Sequence, residues 1–201
     1  MKIEIRSDSI HLSGYVNAVE RRSAVLPQRV CRNAPGDFVE VIHAGAFGAS
    51  LRKKPEVGLM FNHEKRLDSG GLELREDSIG LHAEAVVTDE EVICAAREGR
   101  LTGWSFGFTQ PADEWSEPDK SGIYTRSISS LELEEVSILT KRPAYPATSV
   151  EVRDGEATEY EYRHTEEENE VSDLTPKPIN NTNVRQAELD LIRLGGIIYE
   201  S

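Results

Sequence analysis

Apolar and polar positions alternate along most of the first 150 residues, and a helical spacing interrupts the alternation twice. Alternation puts successive side chains on opposite faces of a strand. Ile3 and Ile5 alternate with Lys2, Glu4 and Arg6, and residues 11–16 follow after a polar turn, which predicts an opening hairpin or a broken strand. Residues 20–36 are charged, carry Pro27 and Pro35, and read as a loop. Residues 38–42 alternate again. Residues 44–54 place Phe47 and Leu51 at i, i+4 with basic residues behind them, a short helix closed by Pro55. In residues 57–63, Val57, Leu59, Phe61 and His63 share one parity, as on a strand. Strands are also expected over 72–75 and 80–87. Thr88-Asp-Glu-Glu91 has the form of a capping box for a helix over 92–98, with Gly99 as its stop. Residues 110–122, with Pro111 and Pro118, read as a polar loop between a strand over 101–109 and strands over 123–129 and 130–139. A last strand is expected at 150–152.

About eight short strands and two helices within 150 residues make the fold mainly β, and a small closed or nearly closed barrel is the natural way to remove the strand edges. The chain of 201 residues is long enough for one domain with a tail. Charge marks the boundary. Residues 151–201 carry 13 acidic and 5 basic side chains, against 23 and 18 in the first 150. We therefore expect a domain over 1–152 and an acidic, linker-like or disordered tail over 153–201, with a short amphipathic helix near 184–194.

A net charge of -13 argues against nonspecific binding to nucleic acid or to an anionic membrane. No apolar run reaches membrane-spanning length, and the first residues lack the apolar core of a signal peptide. Two cysteines, Cys31 and Cys94, make neither a disulfide framework nor a metal-type cluster, which points to a reducing compartment. No cofactor or metal is expected.

The most informative stretch is 101–109, Leu-Thr-Gly-Trp-Ser-Phe-Gly-Phe-Thr. Trp104, Phe106 and Phe108 share one face, and Gly103, Ser105 and Gly107 share the other. One hydroxyl thus stands on a face cleared by two glycines, where another backbone can approach. Ser105 is either a nucleophile in a substrate groove or an ordinary strand serine. Its Gly-x-Ser-x-Gly setting is not a nucleophile elbow, since Phe106 and Phe108 continue the strand and only His164 follows among the histidines. A serine nucleophile needs a base, and the base needs an orienting group. Of the five histidines, His11, His43, His82 and His164 have no distinguishing context. His63 ends an apolar strand and stands either as a half-buried base or as a structural rim residue. In residues 131–139, Glu135 shares its parity with Leu131, Leu133 and Leu139, whereas Glu132 and Glu134 do not. A carboxylate on an apolar face is costly unless paired, so Glu135 is the unusual one, unless a bulge returns it to solvent.

Taken in order, Gly45-Ala-Phe47, Asn62-His63, Gly99-Arg-Leu-Thr-Gly-Trp-Ser105-Phe-Gly-Phe108, Leu133-Glu-Glu135-Val-Ser-Ile138 and Pro143-Ala144 resemble the prohead (capsid maturation) serine proteases of tailed bacteriophages, relatives of the herpesvirus assemblins. The likeness spans roughly residues 10–150, and it departs from the pattern at His43-Ala44, where a proline is more usual. It implies a herpesvirus-protease-like β-barrel of about seven or eight strands with peripheral helices. It also implies Ser105 as nucleophile, His63 as general base and an acidic third member at Glu135, with Lys141-Arg142 a weak candidate for oxyanion contacts. The expected substrates are the scaffold or the delta segment of the major capsid protein, with self-cleavage of the tail, inside a procapsid in the bacterial cytoplasm. The assemblin relation suggests a homodimer. The competing readings are a non-catalytic capsid assembly or scaffold factor on the same barrel and an unrelated small serine esterase.

Overall fold

The computed structural model describes residues 1–68, 70–140, 148–153, 156–164 and 169–175. The alternating segments are strands, as their pattern requires. β1 (Lys2–Ile5) and β2 (Ile10–Ala18) form the opening hairpin, with Ile3 opposite Leu12. The other edge of β2 pairs with β7 (Gly80–Val87), and β7 pairs with β6 (Leu72–Glu76). β12 (Glu170–Asp173) adds in parallel to β1 and completes a five-stranded sheet.

A second, seven-stranded sheet is built on β8 (Gly103–Trp115) and β9 (Tyr124–Leu139). Outside β8 lie β11 (Glu156–His164) and β10 (Thr148–Arg153), both antiparallel. Along the other edge of β9 lie β3 (Phe38–Ile42) and β4 (Gly58–Phe61), both parallel to it, and β5 (Lys65–Arg66) follows β4. Side chains of both sheets, among them Ile3, Leu12, Ala83, Trp104, Phe106 and Val136, meet in one core. The helices α1 (Ala46–Lys53) and α2 (Glu90–Arg97) contribute Phe47 and Val92 to it.

The mainly β expectation holds, with a correction to closure. A barrel requires its end strands to pair with each other. Here each sheet is an open path, and the second ends at β5, which is only two residues long. Local expectations also change. β8 runs on through Pro111 instead of ending at Thr109, because a bulge between Thr109 and Ala112 absorbs a residue that cannot donate to the ladder. β9 is a single strand of 16 residues and not two. Its buried parity changes twice, from Arg126 and Ile128 to Leu131 and Leu133, then to Val136 and Ile138. Each change falls at a register shift against β8, and the first resembled a strand end in the sequence. Residues 156–164 and 170–173, expected as linker, are the paired strands β11 and β12. The expected helix at 184–194 lies outside the described residues.

The helix ends follow local chemistry. The N-cap of α2 is Asp89, one residue later than the capping-box reading, and its carboxylate accepts from the N–H groups of Glu91 and Val92. At the other end Gly99, with φ +66°, lets its N–H reach Ala96 and that of Arg100 reach Ala95, the Schellman pattern. α1 is capped from a distance: the Glu76 carboxylate, at the end of β6, accepts from Gly45 N–H at 2.6 Å and Gly48 N–H at 2.5 Å. Asp89→Ala should cost about 1 kcal/mol of stability. Thermal unfolding should show the midpoint falling by roughly 2–4 °C, without loss of the native sheet signal.

Candidate active site

Ser105 owes its position to the aromatic face behind it. Trp104, Phe106 and Phe108 are fully buried, and Phe47 of α1 meets Phe106 edge-on at 5.4 Å. With those rings locked in the core, the serine must point to the opposite face, where it lies beside Ser137 of β9. The alternation of 101–109 is therefore sufficient to orient it.

Glu135 reaches the same face by a different route. Gly107 pairs with Glu135, but the next residue, Phe108, pairs with Leu133, so Glu134 has no partner in the β8 ladder. This bulge reverses the parity of β9, and Glu135 leaves the leucine face that the sequence assigned to it. It lands next to Gly107, whose missing Cβ would lie 3.0 Å from the Glu135 Cγ. The side chain is 14% exposed. Glu134 turns away, to the Lys54 ammonium at 2.5 Å and the Thr109 hydroxyl at 3.0 Å. The Ser50 hydroxyl of α1 accepts from the Leu133 N–H at 2.7 Å, which satisfies backbone beside the bulge.

His63 follows β4 in a tight turn and is not part of the strand. Asn62 and His63 both have left-handed backbones, with φ +54° and +62°, and Glu64 N–H closes the turn on Phe61 at 3.1 Å. Left-handed histidine is costly and needs support. The Asn62 amide clamps Thr140 through its side chain and its backbone N–H at 3.0 and 2.9 Å, and the Ser137 hydroxyl accepts from His63 N–H at 2.9 Å. β8, β9 and β4 are neighbours in the sheet, so their three contributions converge.

The result is a linear hydrogen-bonded chain. The His63 Nε2 lies 2.7 Å from the Ser105 Oγ, and its Nδ1 is hydrogen-bonded to the Glu135 carboxylate. Ser105 is also 2.6 Å from the main-chain carbonyl oxygen of Arg163 in β11. A hydroxyl has one hydrogen, so imidazole and carbonyl compete for it. The other described histidine side chains lie elsewhere: His43 bonds Glu20 near the surface, and His82 packs against Tyr15 and lies 3.3 Å from the Ser13 hydroxyl.

Beside this chain lies a buried ionic cluster. Arg163 donates from Nε and Nη2 to the two Glu40 oxygens, both at 2.9 Å. Arg126 of β9 forks onto Glu161 at 2.5 and 2.8 Å and holds Asp113 at 2.5 Å. Burial alone would raise the Glu161 carboxyl, but the hydrogen bond from Arg126 and the charge of Arg163 outweigh it and hold the group below the ordinary value of 4.5. The same pairing keeps Arg126 and Arg163 charged against their own burial. Ser137, Arg126 and Glu40 were not singled out in the sequence, although Glu40 shares its parity with Phe38 and Ile42, the same signal that selected Glu135.

A serine hydroxyl, an imidazole and a carboxylate in hydrogen-bonded series have an arrangement chemically able to activate the serine oxygen. Residues 1–163 match the family model of the caudovirus prohead serine protease, and the chain belongs to that family. It is accordingly a capsid maturation protease of the serine class, whose substrates are capsid-related. No curated protein and no solved structure matches the chain. No helix among the described residues is long and apolar enough to cross a membrane.

The cluster makes the seating of β11 dependent on pH. A carboxyl held below its unfolded value stabilises the fold above that value, and the contribution is lost as pH falls through the folded value. Amide protection of β11, measured by hydrogen exchange, should therefore be intact at pH 6 and decline as pH falls below about 4.5 towards the lower folded value of Glu161. Equal protection at both pH values would refute the dependence.

Proposed function

We propose that Ser105 is the nucleophile of an endopeptidase, His63 its general base and Glu135 the group that holds the imidazole. The observation that carries this reading is the continuous Ser105–His63–Glu135 chain of hydrogen bonds. The Ser105 Oγ attacks a peptide carbonyl carbon while His63 Nε2 takes its proton. His63 then protonates the departing amine, leaving an acyl ester on Ser105. Water, deprotonated by the same nitrogen, hydrolyses the ester and frees the serine. Glu135, accepting from Nδ1–H, selects the tautomer with Nε2 free and stabilises the imidazolium that forms. Lys141 and Arg142, the candidates for oxyanion contacts, lie outside the described residues.

Within capsid-related substrates, the reading extends to the scaffold or the delta segment of the major capsid protein, cut inside the procapsid in the host cytoplasm. A non-catalytic assembly factor would have no need of an activated serine.

Ser105→Ala should lower peptide turnover by about 10⁴–10⁶, and Glu135→Gln by about 10⁴. A fluorophosphonate should label Ser105 in the wild-type chain and not in His63→Ala, as intact mass will report. Wild-type rates in Ser105→Ala would remove Ser105 from the mechanism, and hydrolysis of esters alone in a mixed substrate panel would favour the esterase.

A further inference from the structure

β11 lies where an extended substrate would lie. It runs antiparallel to β8 across the nucleophile, with Glu161 opposite Phe108, Tyr162 opposite Gly107, Arg163 opposite Phe106 and His164 opposite Ser105. Strand addition of this kind presents a peptide backbone at fixed register and reads alternate side chains in pockets. The carbonyl that reaches the Ser105 Oγ, at 2.6 Å, belongs to the Arg163–His164 peptide bond. The Tyr162 ring covers the His63 ring at 4.5 Å, and its Cε1 is 2.9 Å from where a Cβ on Gly107 would stand, so the glycine makes room for this residue of the guest strand. Ser105 is 1% exposed with β11 in place. No second peptide can reach it until β11 is cut or leaves.

The side chains on the other face of β11 enter a recess whose walls bear charge. Glu40 takes the Arg163 guanidinium in a two-point fork, with the Phe108 ring beneath at 5.4 Å. Arg126 takes the Glu161 carboxylate in a second fork. Each fork selects chiefly for charge, and its planar two-point form adds a smaller preference for arginine over lysine. An uncharged guest would leave Glu40 with only the Arg126 contact at 3.2 Å and Arg126 with only Glu40 and Asp113, so the loss of a guest charge under-compensates a buried cluster and is disfavoured. Neither Glu40 nor Arg126 touches the serine, the imidazole or Glu135 through any described hydrogen bond, and their chemistry is recognition.

Building on the proposed Ser105 mechanism, we propose that Glu40 and Arg126 are specificity-determining residues of the protease. They select peptides of the form acidic–any–basic, cut after the basic residue, and β11 is such a peptide presented for cleavage at Arg163–His164. The Arg163 carbonyl carbon is transferred from the His164 nitrogen to the Ser105 Oγ. His63 delivers the proton to the new His164 amine. One water then releases Arg163 as a C-terminal carboxylate.

The test uses the full chain. Intact mass after incubation should show wild-type protein divided into residues 1–163 and 164–201, and Ser105→Ala undivided. Arg163→Lys should keep the cut, and Arg163→Gln should slow it by about tenfold or more. Because Arg163→Gln disturbs a buried cluster, synthetic peptides spanning residues 158–169 should also be offered to the wild-type chain with Arg, Lys, Gln or Glu at position 163. Arg and Lys peptides should be cleaved about tenfold or more faster than the others, and Glu40→Gln should abolish that preference. A fluorophosphonate-reactive Ser105 with no cut at residue 163, or with equal rates across the four peptides, overturns the specificity assignment alone. Division at residue 163 in Ser105→Ala as in wild type, or failure of labelling and of all peptide hydrolysis after the chain has divided, overturns the nucleophile assignment beneath it.

Discussion

One residue of β9 without a partner on β8 determines whether the site exists. Glu134 is skipped in the ladder, and the faces of the strand are exchanged from that point on. Upstream, Leu131 and Leu133 fill the core; downstream, Val136 and Ile138 do, which frees Glu135 and Ser137 for the opposite face. Without the bulge, Glu135 would project into the core beside the leucines and Val136 would project at His63. A bulge leaves backbone to be satisfied and a charged side chain to be placed. The structure supplies Ser50 for the Leu133 N–H, and Lys54 and Thr109 for the Glu134 carboxylate. α1, which carries Ser50 and Lys54 at or beside its C-terminal half, is thereby tied to the geometry of a carboxylate it never touches.

The other supports of the site are also distributed over several elements. His63 is held in a left-handed backbone by Asn62, Thr140 and Ser137, so the imidazole is fixed from both the turn and the end of β9. Ser105 is fixed from behind by aromatic packing that reaches Phe47. This arrangement lets the Ser105 face of β8 stay nearly empty of other side chains of its own strand, with Gly103 and Gly107 on either side. That face is filled by β11, whose two buried charges are matched by Glu40 and Arg126 on β3 and β9. Pairing within that cluster explains how strongly polar groups are tolerated at a position where isolated charges would not be.

Several features were readable in residues 1–139 because they are local. Alternation identified the strands, and the i, i+4 spacing with basic residues behind it identified α1. Gly99 marked the end of α2, since only a left-handed residue closes that turn without strain. The orientation of Ser105 followed from three aromatic residues of one parity. Failures came where one local rule was interrupted by a single residue. The strand running through Pro111 and the continuity of β9 were hidden by bulges, each of which looks like a break when parity is read along one strand. Glu135 was selected for being on the leucine face, yet it reaches His63 because the bulge removes it from that face. The acidic composition of 156–173 concealed two strands, because Glu161 and Arg163 are paired with residues more than 30 positions away.

The sequence by itself determined most of the strand segments before residue 110, which way the serine faces, and the family resemblance that named Ser105, His63 and Glu135 together. Those properties depend on neighbours within a few residues, or on motifs that keep their order. The tertiary structure alone decided that the sheets remain open, that a bulge is what carries Glu135 to the imidazole, and that a late acidic strand covers Ser105. The reason is that register between strands is set by pairing partners distant in the chain. A shift of one residue exchanges the faces of everything beyond it, and no periodicity within a single strand records which partner imposes the shift.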